Sequence, residues 1–243
     1  MEIEIEMKIS VINPNTTKEM TRAIGMAARR SATSETELLI SQSQSGPSAI
    51  EGPFDGAMCL PGFLKALQDA ENAGAMAHII ACFDDTGLDA ARALSSRPVV
   101  GIGEAALHVA SLIAQEFCVV TTLSRSVPIL KANVLRYGFE RRCPQILASD
   151  IPVLELHDPE SGAREKITFL INSAIENGAE AAILGCAGMS DFQAELQREV
   201  GIPIVDGVDA AVRLAEMLAA SGLTPSKRGA WASPARAALI RMD

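Results

Sequence analysis

The chain has 243 residues, 48% of them hydrophobic and 4% aromatic, with a formal charge of −9. That much apolar material supplies one large core or two modest ones, which excludes a disordered chain. The acidic balance, with no run of Lys and Arg, excludes binding to nucleic acid through counterion release.

Apolar runs such as residues 77–83 stop well short of the roughly 18 residues a membrane span needs, so no membrane contact is expected. Residues 1–6 are acidic and alternate in polarity, whereas a secretory signal opens basic and continues apolar; cytoplasmic residence is expected. They are read with Met7 as an N-terminal extension over residues 1–7, ahead of a single domain over residues 8–243.

From Lys8 onward, short β-branched runs alternate with Ala-rich stretches of helical period. A strand over 9–12 ends in Asn13-Pro14-Asn15-Thr16 and leads to a helix over 20–30. The polar stretch 41–47 reads as a loop able to close a cleft. Next come a strand over 77–81 and a helix over 88–94, then a strand over 117–120 and a helix over 129–137. The series ends with a strand over 181–185, a helix over 192–200, a short strand over 204–205 and a helix over 210–220. Strand and helix in alternation predict a parallel α/β sheet.

An internal repeat refines this. Gly74 through Cys82 aligns with Gly178 through Cys186 without a gap at a constant offset of 104, so that cysteine falls on cysteine. Past one inserted residue, Pro98-Val99-Val100 matches Pro203-Ile204-Val205. Val11 through Thr16 likewise matches Val119 through Ser124 in its apolar lead and polar tip. The expected architecture is two pseudo-twofold-related, interleaved α/β subdomains with parallel sheets, over about 8–110 and 111–220. The C-terminal segment returns to pack, and the active site lies in the cleft between the subdomains.

Five cysteines, an odd number and widely spaced, argue for free thiols and against a disulfide framework. No CxxC or paired His/Cys spacing supports a metal site, and His78, His108 and His157 stand far apart. Cys59, Cys118 and Cys143 read as small buried hydrophobes. Cys82 and Cys186 differ, because each ends a strand at equivalent points of the repeat, where ligands of parallel sheets bind. Each is followed by a helix-start signal, Thr86-x-x-Asp89 and Ser190-x-x-Gln193, the second fitting a capping box. The turns between, Phe83-Asp84-Asp85 and Ala187-Gly188-Met189, can aim backbone N–H groups at an anionic ligand.

Two equivalent thiols on opposite sides of a pseudo-twofold axis suit racemisation. One thiolate removes a carbon-bound proton from one face while the other thiol delivers a proton to the opposite face. A helix N-terminus beside each thiol would lower its pKa from the ordinary value of about 8.5. Asp84 and Asp85 disfavour thiolate at Cys82, so Cys186 is expected to ionise first. Asp85 is read either as part of this electrostatic asymmetry or as helix-end polarity only.

The segments Asn13-Pro14-Asn15-Thr16, Ala81-Cys82-Phe83-Asp84-Asp85-Thr86-Gly87-Leu88, Thr121-Thr122-Leu123, Arg125-Ser126-Val127-Pro128, Gly185-Cys186-Ala187-Gly188-Met189 and Val205-Asp206-Gly207-Val208 together resemble the hydantoin racemases of the aspartate/glutamate racemase superfamily. Allantoin racemases look similar in the same segments. The resemblance implies interconversion of D- and L-5-monosubstituted hydantoins without metal, pyridoxal phosphate or other cofactor. It makes Cys82 and Cys186 the acid/base pair and Asn13, Thr121 and Thr122 substrate contacts, with the turn residues Phe83, Asp84, Ala187 and Gly188 beside them.

The candidate loops offer amides and hydroxyls rather than the Arg that an α-carboxylate prefers, which favours a neutral cyclic diamide over an amino acid. Arg125 is the exception if it points inward. Gly101-Ile102-Gly103 lacks the third glycine of a dinucleotide fingerprint. A small-molecule substrate is the expected partner, and the low charge density of the Ala-rich helices favours a homo-oligomer. Racemisation of allantoin or of an aspartate/glutamate-type amino acid, thiol–disulfide exchange and non-catalytic binding are the alternatives.

Overall fold

The computed structural model describes residues 7–235. Residues 1–6 of the expected extension lie outside the described residues, and Met7 is the first residue of β1, paired with Thr36.

Among the described residues eight strands form two all-parallel, four-stranded sheets, an α/β fold as expected. The first sheet has the order β2-β1-β3-β4, from β1 (Met7–Asn13), β2 (Thr36–Gln42), β3 (Ala77–Ile80) and β4 (Val99–Gly101). The second has the order β6-β5-β7-β8, from β5 (Phe117–Thr121), β6 (Gln145–Ala148), β7 (Ala181–Leu184) and β8 (Ile204–Asp206). The helices are α1 (Lys18–Ser31), α2 (Pro53–Asn72), α3 (Leu88–Leu94), α4 (Ile102–Ile113), α5 (Val127–Arg136), α6 (Ala163–Glu176), α7 (Gln193–Val200) and α8 (Gly207–Ala220).

The register reproduces the sequence repeat residue for residue. Val11 pairs with Ile79 and Val119 with Ile183, while His78 pairs with Val99 and Ala182 with Ile204. The residue inserted in the second half therefore sits between β7 and β8, outside the ladders. Strand alternation sorts the apolar residues into layers. Ile9, Val11, Ala77 and Ile79 of one sheet and Phe117, Val119, Ala181 and Ile183 of the other face a common central core. Ile12 and Ile80 face α2 and α3 on one outer side, and Cys118, Val120 and Leu184 face α6 and α7 on the other. Cys118 is thus packing material, and His78 is fully buried with its ring bonded to the Ser10 hydroxyl at 2.7 Å.

The two sheets exchange helices. α4, which follows the first sheet, packs on β7 and β8, whereas α8, which follows the second, packs on α1, β1, β3 and β4. Glu216 of α8 fixes one such crossing by accepting from the Thr33 backbone N–H at 2.7 Å and the Thr36 hydroxyl at 2.7 Å. Those bonds hold its carboxyl below the usual range although burial opposes them. Beyond α8 the chain returns over α3, where Lys227 donates to the carbonyl of Ala93 at 3.0 Å and Trp231 donates to Asp89 at 3.2 Å. No helix among the described residues is long and apolar enough to cross a membrane.

Several elements have no counterpart in the predicted series. The 20-residue α2 carries Pro61 and Gly62 in its interior, which breaks the helical signal. It persists because tertiary packing pins it, and a Cβ at Gly62 would lie 2.2 Å from the Ser43 hydroxyl oxygen. Ser41 and Gln42, expected in a loop, end β2 instead.

Candidate active site

Cys82 and Cys186 each stand two residues beyond a central strand, β3 and β7, on equivalent turns. The Ala81 N–H reaches Ile12 O at 2.9 Å and the Gly185 N–H reaches Val120 O at 2.8 Å, so both strand ends stay pinned to their neighbour. Each turn then closes on its cysteine, with Asp85 N–H donating to Cys82 O and Met189 N–H to Cys186 O, both at 3.0 Å. Gly185 is required where the first half has Ala81, because a Cβ there would meet Val119 Cγ1 and Val120 O at 2.9 Å.

The two turns line one narrow cleft, partly open to solvent. Of the predicted site residues, Cys82, Phe83, Asp84, Thr121, Thr122, Cys186 and Ala187 line it. Thr121 also donates to Gly185 O at 3.0 Å, tying β5 to the Cys186 turn. Asn13 and Gly188 are not in the lining. Asn13 is buried and donates to Asn15 Oδ1 at 2.8 Å and to the Thr21 hydroxyl at 2.9 Å, so it holds Asn15, which does line the cleft. Gly188 sits behind Cys186 and gives its N–H to the sulfur at 3.4 Å. The sequence reading missed Met20, Ile50, Ser126 and Val153 as lining residues. They lie on a helix and on loops with no local signal for this cleft.

The helix-start signals do not act as expected. α3 begins after Gly87 in a left-handed conformation, and α7 begins after Phe192, neither with a side-chain cap. Ser190 instead donates to Ala187 O at 3.0 Å inside a 3₁₀ turn (Ala187–Phe192) whose N-cap is Cys186 itself. The capping box fails because that turn already occupies the serine.

Burial decides the state of the thiols. It pushes Cys186 up to about 12 against the lowering effect of the Gly188 N–H, with Asp84, Asp206 and Glu51 adding to the rise. It pushes Cys82 well above the ordinary thiol range, and the adjacent Asp84 carboxylate adds to that. Burial outweighs the expected lowering by a helix N-terminus at both sulfurs. Asp84 is itself pushed up to about 6 by burial, and its Oδ2 has no hydrogen-bond partner among the described residues.

Asp85 is neither a cleft residue nor bare helix-end polarity. Despite a positive φ of 50° it is buried, and it accepts from the N–H groups of Gly103 at 3.0 Å and Glu104 at 2.7 Å and from the Tyr137 hydroxyl at 2.9 Å. It caps α4 from the Cys82 turn. A Cβ at Gly101 would lie 2.1 Å from Asp85 Oδ1 and one at Gly103 2.8 Å from Oδ2, so Gly101-Ile102-Gly103 is the seat of this carboxylate. In the second half Asp206 caps α8 from the strand end itself, accepting from Asp209 N–H at 2.9 Å.

Arg125 does not reach into the cleft. It pairs with Glu51 at 2.9 Å, and Glu51 also accepts from the Val153 N–H at 3.1 Å. Among the described residues no Lys, Arg or His lines the cleft. All five cysteines are free, and among the described residues no group of three or more His, Cys, Asp or Glu is placed to hold a metal ion.

The family and the named relatives that match this chain are racemases, a class of isomerases. A family profile described as Asp/Glu/Hydantoin racemase matches residues 9–215. The chain belongs to this family. It is 44% identical to a hydantoin racemase of Rhizobium meliloti, over 94% of this chain and 95% of that one. An allantoin racemase from Klebsiella pneumoniae superposes with a TM-score of 0.91 at 43% identity, covering 94% of each chain. A glutamate racemase from Bacillus anthracis, at 14% identity and a TM-score of 0.68 over 89% of this chain and 83% of that one, shares the fold.

Proposed function

We propose that the protein interconverts the D and L forms of 5-monosubstituted hydantoins by two-base proton transfer at C5, with Cys82 and Cys186 as the pair and no cofactor. The observation that carries this reading is the convergence of two pseudo-equivalent cysteine turns on a single cleft that, among the described residues, has no cationic side chain in its lining. An amino-acid substrate would bring its α-carboxylate against Asp84 with no Arg or Lys to meet it, which disfavours the amino-acid alternative. A neutral cyclic diamide instead offers N–H donors to the unpartnered Asp84 oxygen and carbonyls to the Asn15 amide and the hydroxyls of Thr122 and Ser126. Allantoin carries the same ring with a ureido group at C5, so the two substrates differ only in what the substituent end of the cleft accepts.

One thiolate takes the C5 proton while the opposite thiol supplies one to the other face. The ring carbonyl receives the developing charge, which polar groups of the cleft stabilise. Cys186, with its Gly188 N–H, is the readier thiolate, since Cys82 lies nearest the Asp84 charge. A substrate N–H bonded to Asp84 offsets that charge and eases ionisation of either sulfur.

The test is polarimetry of an enantiopure 5-substituted hydantoin in D2O with mass spectrometry of the product, run beside allantoin and aspartate. Loss of rotation with deuterium at C5 is expected for the cyclic substrates and not for aspartate. Catalysed exchange in aspartate alone would overturn the reading.

A further inference from the structure

Three loops far apart in sequence meet over the cleft, and one side chain joins them. Glu51 lies on the loop between β2 and α2, next to Ile50, which lines the cleft. Its Oε2 pairs at 2.9 Å with Arg125, the neighbour of the lining residue Ser126. Its Oε1 accepts at 3.1 Å from the backbone N–H of Val153, a third lining residue, on the loop between β6 and α6. The β2–α2 and β6–α6 loops hold equivalent places in the two halves, so this bridge joins the halves beside the site. The first loop is also fastened from below, with the Thr16 N–H on Pro47 O at 3.0 Å and the Thr17 hydroxyl on Ser48 O at 2.6 Å.

The lining sorts by chemistry. The cysteine turns take the reacting carbon, and Asn15, Asp84, Thr122 and Ser126 offer polar atoms to the ring. Met20, Ile50 and Val153 remain as the large aliphatic side chains, and two of those three are placed by Glu51.

We infer that Glu51 is a positioning residue that sets the wall formed by Ile50 and Val153, and that this wall receives an apolar substituent at C5. The inference rests on the racemase reading for the identity of its substrate. Glu51 acts on binding of the substituent, with proton transfer left to the two sulfurs. Its two bonds have separable effects: Arg125→Ala and Glu51→Gln each remove the ion pair and keep an acceptor for Val153, whereas Glu51→Ala removes both.

The experiment measures steady-state racemisation of 5-methyl-, 5-isopropyl- and 5-benzylhydantoin by the wild type and these three variants. For Glu51→Ala, KM should rise about tenfold for the isopropyl and benzyl compounds and about twofold for methyl, with kcat within about twofold. Glu51→Gln and Arg125→Ala should fall between Glu51→Ala and the wild type. Equal KM changes across the three compounds, or an effect confined to kcat, would overturn the inference. A second readout, alkylation of Cys186 by uncharged iodoacetamide followed by mass spectrometry, does not depend on the substrate. Arg125→Ala leaves the Glu51 charge unpaired and so disfavours the thiolate, yet it loosens the wall. Faster alkylation than wild type supports the inference, and an unchanged or slower rate overturns it. If the wild type racemises none of the three compounds, the functional reading fails and the alkylation arm alone judges the role of Glu51.

Discussion

The Cys82 and Cys186 turns share a backbone and differ in almost everything attached to it. Both follow a central strand by two residues and close with the same hydrogen bond onto the cysteine carbonyl. After Cys82 come two carboxylates, one in the cleft and one turned back to cap α4. After Cys186 come two small residues, and the second gives its N–H to the sulfur. The cap of α8 falls to Asp206 on the neighbouring strand. A duplicated scaffold can therefore keep two groups opposed while their electrostatics diverge, because the backbone sets position and the following residues set charge. In the proposed two-base reaction the sulfurs exchange the roles of base and acid with the enantiomer bound, so this divergence biases which of them ionises first.

The strongest way to break the comparison is to remove one sulfur at a time. Cys82→Ser and Cys186→Ser should each lower racemisation by at least about 10³-fold, the upper range for loss of a general acid or base. Each should retain slow exchange of the C5 proton from one enantiomer, the one facing the surviving cysteine, as read by mass spectrometry in D2O. Equal residual exchange from both enantiomers in both variants would deny that the sulfurs work on opposite faces.

Removing the cap carried by only one turn sharpens the contrast. Asp85→Ala leaves the buried N–H groups of Gly103 and Glu104 and the Tyr137 hydroxyl without their acceptor, and it should cost about 3 kcal/mol of stability in urea unfolding. Tyr137→Phe removes one bond of that set and should cost about 1 kcal/mol. Burial holds the Asp85 carboxyl up to about 7, above its unfolded value. Its stabilising contribution is therefore full below about pH 4 and falls away as pH rises through about 7. Wild-type stability should decline across that window relative to Asp85→Ala, and parallel profiles would contradict this ionisation.

The mildest test is the pH dependence of kcat/KM. With Cys186 pushed up to about 12 and Cys82 higher still than an ordinary thiol, the reactive thiolate grows with pH throughout the accessible range. The rate should rise steadily from pH 7 to about 9.5 without levelling. A plateau below about pH 8 would mean that a sulfur ionises as an ordinary or activated thiol in the free enzyme.

Much of the fold was legible. The strands over 9–12, 77–81, 117–120, 181–185 and 204–205 and the helices that follow them fall where periodicity placed them, within a few residues. The gapless repeat anticipated both the register and the equivalence of the cysteine turns. Less of the cleft was legible. Asp85 and Gly101-Ile102-Gly103 read as unrelated features until the fold joined them, and no residue of 41–47, the stretch expected to close the cleft, lines it, whereas Ile50 further along the same loop does.

The sequence by itself determined what depends on neighbours a few residues away: strand and helix alternation, the faces of each strand, the repeat, and the arrival of both cysteines at strand ends. Tertiary structure decided the exchange of α4 and α8 between sheets, the Glu51 bridge to partners 74 and 102 residues away, and the resting state of the thiols. Each of these is set by burial and by contacts between distant segments. Desolvation of a sulfur is a property of everything packed around it, which no local pattern around Cys82 or Cys186 contains.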